Sequence, residues 1–345
     1  MGFELLLNCR FNYRQFIFID ECRLAANRSL WMKSDRPSST ARFVSNGIYW
    51  VSQHPRFSCE VPDSLASWTT KLTRCLMHSS LIPGTVLARR YLLFKASLMQ
   101  ACSVPGIYLH QVLRKRSIEK LAHESIASGI NQVVVLGAGY DTLSLRLASQ
   151  YPECALIEID HPATQKAKRA LLAQAGLHHD SCAYFPVDLS DQSLESVLCE
   201  CPEYDSLRST LFIIEGVTMY LDEKSVRSLL SCVAAQAKGS VLLFTYMEES
   251  RPGCYDFKGT RWLTSWWLAL RHERFTWGIA PRKLPEFLSE SGFALRWHRT
   301  SDELRTQLLS NAHQGAVVAL GENTALVAPG SDDSQTNEVM HARGQ

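Results

Sequence analysis

Between residues 131 and 300 the chain alternates short apolar, β-branched runs with helical stretches, and four consecutive runs stop at a glycine or a carboxylate. Residues 132–136 (QVVVL) end at Gly137, 155–159 (ALIEI) at Asp160, 183–187 at Asp188 and 210–214 (TLFII) at Glu215. Runs this short and this apolar suit strands buried on both faces, as in a parallel sheet. A fifth run, 241–245, follows the clearest helix of the chain, in which Asp222 caps Val226, Leu229, Leu230 and Val233 on one face and Gly239 closes the turn. The alternation predicts an α/β fold with a doubly wound, mostly parallel, Rossmann-like sheet. In such sheets ligands bind beyond the carboxyl ends of the strands. Gly137, Asp160, Asp188 and Glu215 therefore converge on one edge. Helices are expected at 64–79, 87–100, 108–128 and 281–292, a strand at 293–297, and a terminal hairpin or strand pair at 316–320 and 324–327.

Composition narrows the function classes. The 345 residues carry 36 Lys+Arg and 34 Asp+Glu, a formal charge of +2, which gives no support to bulk electrostatic binding of nucleic acid or an anionic membrane. Eleven cysteines are scattered without a C-x-x-C pair, so no zinc or redox motif is readable, and reduced cysteines in a cytoplasmic protein are expected. No run reaches the roughly 20 apolar residues of a membrane span, and residues 1–20 lack a signal-peptide cleavage pattern. The expected organisation is an irregular extension at 1–60 with a polar linker at 34–41, one enlarged domain at 61–328, and a disordered tail at 329–345. Residues 250–280 form an insertion rich in aromatics, among them Tyr255, Phe257, Trp262, Trp266, Trp267, Phe275 and Trp277. They read equally as a lid with an acceptor pocket or as the insertion's own small core.

The strand ends point to a nucleoside-containing cofactor. Gly137-Ala138-Gly139 lets the backbone turn tightly after a strand, and Asp160, 21 residues beyond Gly139, is spaced to accept from ribose hydroxyls. Thr142 stands where a dinucleotide fingerprint needs glycine or alanine, and Asp141 adds negative charge where a pyrophosphate would lie. S-adenosylmethionine, which has no phosphate, fits better than NAD. Asp160 then suits its ribose and Asp188 its adenine amino group.

Five segments in order resemble one family. Residues 135–142 (VLGAGYDT) are similar to the LGAGxDT motif of the leucine carboxyl methyltransferase family. Residues 158–162 (EIDHP), 186–189 (PVDL), 215–221 (EGVTMYL) and 114–119 (RKRSIE) are similar to its E-[VI]-D-x-P, V-D-L, E-G-[x3]-Y-L and R-x-R-x-I-[DE] segments. The likeness covers roughly residues 64–328 and is closest in wording to microbial members. It implies a class I methyltransferase fold whose helical N-terminal part closes over S-adenosylmethionine. It also implies that Arg116 pairs with the methionine carboxylate and that Gly137 and Gly139 let the backbone approach the methionine moiety. By the same resemblance Asp160 holds the ribose, Asp188 and the backbone amide of Leu189 contact adenine, and Glu215 lies near the methionine amino end. Lys115 is expected in solvent, and Arg114 stays ambiguous because the family motif carries both arginines.

The expected activity is in-line O-methylation of a carboxylate on a small molecule or a peptide C-terminus. A carboxylate is already ionised at neutral pH and needs no base, and no His–carboxylate pair is readable as one. No catalytic residue and no metal ligand are assigned. A hydroxyl acceptor is the alternative, and an NAD-dependent oxidoreductase or a non-catalytic cofactor-binding protein are the alternatives from other classes.

Overall fold

The computed structural model describes residues 37–78, 94, 96–98, 100, 104–177, 181–189, 192–236, 238–258 and 275–330, all within one compact unit that spans residues 34–345. In chain order the elements are α1 (Ser39–Ser52), α2 (Asp63–His78), α3 (Ile107–Ala127), β1 (Gln132–Leu136), α4 (Leu143–Gln150), β2 (Ala155–Asp160), α5 (Pro162–Gln174) and β3 (Cys182–Pro186). They continue with α6 (Leu194–Glu200), β4 (Thr210–Ile214), α7 (Glu223–Ala234), β5 (Val241–Met247), α8 (Leu284–Glu290), β6 (Phe293–Arg299), α9 (Ser301–Leu308) and β7 (Glu322–Pro329). Most of the expected helix at 87–100 lies outside the described residues, and those described, 94, 96–98 and 100, are helical; the extension before residue 37, the insertion's centre at 259–274 and the tail after Gly330 also lie outside them.

The seven strands form one sheet in the order β3-β2-β1-β4-β5-β7-β6. β1 to β5 pair in parallel. β7 runs antiparallel to both β5 and β6, so it alone opposes the other six. The order reverses at β1, where β2 and β4 flank it, and this is the switch point at which ligands bind. Register makes that edge level. Leu136 is paired with Ile159 and with Ile214, so Gly137, Asp160 and Glu215 form the next row together.

Both faces of the sheet are covered. β1 and β4 are buried at every position, as their unbroken apolar runs require. On one face α2, α3 and α4 pack through Leu72, Ile118, Leu121 and Leu145 onto Val133, Val135, Leu211 and Ile213. A second cluster joins α1, α2 and α3 through Ile48, Val51, Leu65, Val112 and Leu113 to Leu309, Ala316 and Val318.

Two expectations are corrected here. The stretch expected to be irregular at 1–60 contains α1, capped by the Ser38 side chain, which accepts from the Ala41 amide at 3.1 Å. A glycine in mid-helix hides this helix in the sequence. Gly47 is needed because a Cβ there would collide with Gln111 and Tyr108 of α3. The run 316–320 is not the first arm of a hairpin. Ala316 and Val318 bury their side chains in the second cluster, only Leu320 bridges Lys258, and β7 pairs with β5 and β6 instead.

Phe212, in the middle of β4, is completely buried. Its replacement by alanine removes a buried ring and leaves a cavity, so Phe212→Ala is expected to cost about 3–5 kcal/mol, read as a fall in the denaturant midpoint at unchanged slope.

Candidate functional site

The turn after β1 is fastened from the next strand. Gly137 and Gly139 take φ of 68° and 54°, a region that L side chains avoid. The Gly139 amide donates to Asp160 Oδ2 at 2.5 Å, and the His161 amide donates to Oδ1 at 2.6 Å. Burial pushes the Asp160 carboxyl above the usual range, against the pull of those two N–H groups. Side chains would also fill the turn. A Cβ on Gly137 would stand 2.6 Å from Val217 Cγ2, and one on Gly139 would stand 2.8 Å from Ala41 Cβ of α1. Helix α1 thus lies against the glycine turn, and its start is tied to α5 where the Ser38 amide donates to Thr164 Oγ1 at 3.1 Å. Asp188 and Leu189 follow β3, both half-buried, and Asp188 Oδ2 lies 3.4 Å from His161 Nε2.

The basic triplet divides differently from the expectation. Arg114 donates from Nε to Glu215 Oε1 at 2.8 Å and from Nη1 to Glu322 Oε2 at 2.5 Å. Lys115 donates to Glu215 Oε2 at 2.8 Å and to Asp141 Oδ2 at 2.5 Å. Arg116, expected at the cofactor, instead donates to Glu60 Oε2 at 3.2 Å and is a quarter exposed. Glu60 also accepts from Ser310 Oγ and contacts His313 Nδ1 at 2.6 Å. The cause is helix phase, because residues two apart point about 200° away from each other. Helix α3 is buried nearly all round, so both directions meet protein. Lys115, expected in solvent, is 6% exposed.

Further groups complete a buried ionic network. Arg146 grips Glu119 through Nε and Nη2 at 2.9 and 3.0 Å, and its Nη1 donates to Thr142 Oγ1. Asp141 Oδ1 accepts from the amides of Thr142 and Leu143 at the start of α4. Burial raises the Asp141 carboxyl, but Lys115 and Arg146 outweigh it and hold the group well below the usual carboxylate range. Glu158 of the EIDHP segment pairs with Lys168 at 2.6 Å, both fully buried, a scaffold role beneath the edge.

The expectation that no His–carboxylate pair occurs is also corrected. His110 Nε2 lies 2.9 Å from Glu322 Oε2, and each side chain is 1% exposed. Burial pushes the Glu322 carboxyl up, yet Arg114 and His110 hold it down at about 2. The two residues are 212 positions apart, and no motif marks either. The described aromatics of the insertion divide. Phe257 packs its ring edgewise on His110 at 5.6 Å and meets Phe275 at 6.1 Å, which in turn meets Tyr220 at 5.5 Å. Trp277 is core, packed on Phe287. Among the described residues no helix is long and apolar enough to cross a membrane.

Residues 79–234 match the model of the leucine carboxyl methyltransferase family. That stretch holds α3, the glycine turn, Asp160, Asp188 and Glu215, the geometry just described. The chain is 27% identical over 198 residues to YktD of Bacillus subtilis (strain 168), named as a candidate S-adenosyl-L-methionine-dependent methyltransferase, an alignment that covers 56% of this chain and 64% of that protein. It is 34% identical over 132 residues to the similarly named SCO7813 of Streptomyces coelicolor, covering 37% of this chain and 45% of the relative. The chain thus spans less than two thirds of the length of either relative. A crystal structure of a candidate methyltransferase from Thermobifida fusca YX superposes with a TM-score of 0.49 at 20% identity, covering 76% of this chain and 94% of that one.

The network makes stability depend on pH. Glu322 and Asp141 titrate below their ordinary values in the folded chain. Their stabilisation is therefore full above those ordinary values and is lost as protons are taken up on the way down. Denaturant midpoints are expected to fall between about pH 5 and pH 2, and to fall less in Glu322→Gln. An equal fall in the variant would remove Glu322 from the account.

Proposed function

We propose that this chain is an S-adenosylmethionine-dependent O-methyltransferase. The observation that carries the reading is the level row of Gly137, Asp160 and Glu215 at the switch point, with the glycine turn fastened to the Asp160 carboxylate.

The residues present fit that cofactor. Side chains at Gly137 or Gly139 would collide with Val217 and Ala41, and the two glycine amides donate to the Ile159 carbonyl and to Asp160 Oδ2, so the turn is held in a fixed shape beside the Asp160 carboxylate. Each Asp160 oxygen accepts one backbone N–H and has a further lone pair for a ribose hydroxyl. Asp188 and Leu189 stand at the next strand end for adenine. Arg114 takes the role that the family resemblance gave to Arg116. Its Nη2 makes no hydrogen bond to a described residue and faces Gly216, 4.0 Å from where a Cβ would stand, so it is free to meet a carboxylate. Glu215, level with Asp160, suits the amino group. When bound, the cofactor supplies an electrophilic methyl group on a sulfonium.

What the protein adds is alignment and exclusion of water. α1 lies on the glycine turn, and Phe257 and Phe275 stand over the β7 side of the edge. The acceptor, a small molecule or a peptide terminus, enters the reading as an oxygen nucleophile. The case for a carboxylate rested on the lack of a His–carboxylate pair, and His110 on Glu322 is such a pair.

Calorimetry with S-adenosylmethionine and with NAD tests the proposal. Binding of the first and not the second is expected, and failure of S-adenosylmethionine to bind overturns the reading. Asp160→Ala is expected to weaken that binding about 10- to 100-fold, the scale of one or two charge-assisted hydrogen bonds, with a thermal scan to confirm that the variant is folded.

A further inference from the structure

We infer that His110, oriented by Glu322, is the general base of this site and that the acceptor is a hydroxyl group. The inference rests on the methyltransferase reading above and names its substrate class.

Three features of the pair lead there. The first is position. Glu322 opens β7 and is paired with Met247 at the end of β5, on the same sheet edge as Glu215. Arg114 bridges Glu215 and Glu322 directly, so His110 stands one ion pair from the row that would hold the cofactor. The second is orientation. Glu322 is ionised and accepts only, so Nε2 of His110 carries the shared proton, and Nδ1 is the nitrogen left with a lone pair. Nδ1 makes no hydrogen bond to a described residue. The third is an unfilled acceptor. Glu322 Oε2 takes both His110 and Arg114, while Oε1 is buried without a hydrogen-bond partner among the described residues. A buried carboxylate oxygen left bare costs free energy, and a donor brought by a ligand would satisfy it.

These features suit a hydroxyl better than a carboxylate. A hydroxyl must lose its proton, which His110 Nδ1 can take, whereas a carboxylate has none to lose. A carboxylate acceptor would also bring its charge beside those of Glu215 and Glu322, because Arg114 and Lys115 are shared between carboxylates and the remaining nitrogen of Arg114, Nη2, is the one given to the methionine carboxylate. In the step proposed, the acceptor oxygen gains the methyl carbon as the carbon–sulfur bond breaks, with the electron pair staying on sulfur. The hydroxyl proton passes to His110 Nδ1. Glu322 stabilises the resulting imidazolium and keeps its own charge. Phe257, edgewise on the imidazole, shields that transfer from water.

The test has two arms. Nitrogen-15 NMR of histidine-labelled full-length chain, with His110 assigned through His110→Gln, is expected to show the Nε2–H tautomer at mildly alkaline pH. Glu322→Gln should lose that bias. An Nδ1–H tautomer in the wild type overturns the inference whatever the activity. In the second arm, radiolabelled S-adenosylmethionine is offered with matched phenols, alcohols and carboxylic acids. Base-stable ether products are expected, together with a loss of about 10²- to 10⁴-fold in kcat for His110→Gln. The affinity of that variant for the cofactor should be unchanged, and its rate should lose the rise with pH. Base-labile esters formed at full rate by His110→Gln overturn the inference and leave the cofactor reading standing. A merely structural pair would lower the melting temperature of His110→Gln and leave kcat alone. Absence of cofactor binding in the wild type would instead sink the methyltransferase reading while the tautomer result stood.

Discussion

Helix α3 holds the sheet edge together through charge. Arg114 and Lys115, adjacent on its axis, reach Glu215 after β4, Glu322 at the start of β7 and Asp141 after β1. Three strands that contribute nothing to one another's local sequence are thereby referred to one rigid element. Removing either partner of such a pair leaves a charge in a dry interior, which costs about 3–5 kcal/mol, whereas an apolar replacement of the whole set would often cost nothing. The ionic set is therefore not needed for stability as such. It fixes where the edge groups stand, and the residues assigned to the methionine end of the cofactor and to the acceptor, Arg114, Glu215, His110 and Glu322, are its members or bonded to one.

That dependence explains the burial of α3 on nearly every face. An amphipathic helix has one side for solvent, but this one has the sheet edge at β7 on one side and α1 and α9 on the others. Only toward its C-terminal end, at Lys120 and Glu124, does it present charge to solvent. His110, Arg114, Lys115, Glu119 and, on the other side, Arg116 each find a charged partner. The pair of Arg116 with Glu60 carries the same logic outward, since Glu60 also joins Ser310 and His313 and so ties the segment before α2 to the segment after α9.

The parts legible in the sequence are those set by local physics. Strands β1, β2 and β4 were readable because a parallel strand must be apolar on both faces. Their ends were readable because a glycine or a carboxylate breaks that run at the row where it is used. The helix start marked by the Asp222 side chain follows local capping. The rest depends on partners far along the chain. Nothing near residue 110 announces Glu322, and nothing in RKR says which of three cations faces the sheet until the phase of α3 is known. Helix α1 was missed for a related reason. Gly47 weakens the local signal for helix, and the need for it lies in Tyr108 and Gln111 across the contact.

The network also bears on which cofactor the edge can accept. Among the described residues, Glu119, Asp141, Glu215 and Glu322 set four carboxylates against Arg114, Lys115 and Arg146. Among these side chains one negative charge is left over, and Asp160 adds another carboxylate at the glycine turn. At the low effective dielectric of a buried site that surplus is screened little. A pyrophosphate would enter it with the same sign, and beyond Nη2 of Arg114 it would find the cations already divided among carboxylates. A sulfonium with an ammonium and one carboxylate carries a net positive charge and enters with the opposite sign. The electrostatics thus favour the phosphate-free cofactor for a reason independent of Thr142, whose hydroxyl here accepts from Arg146 and serves the network itself.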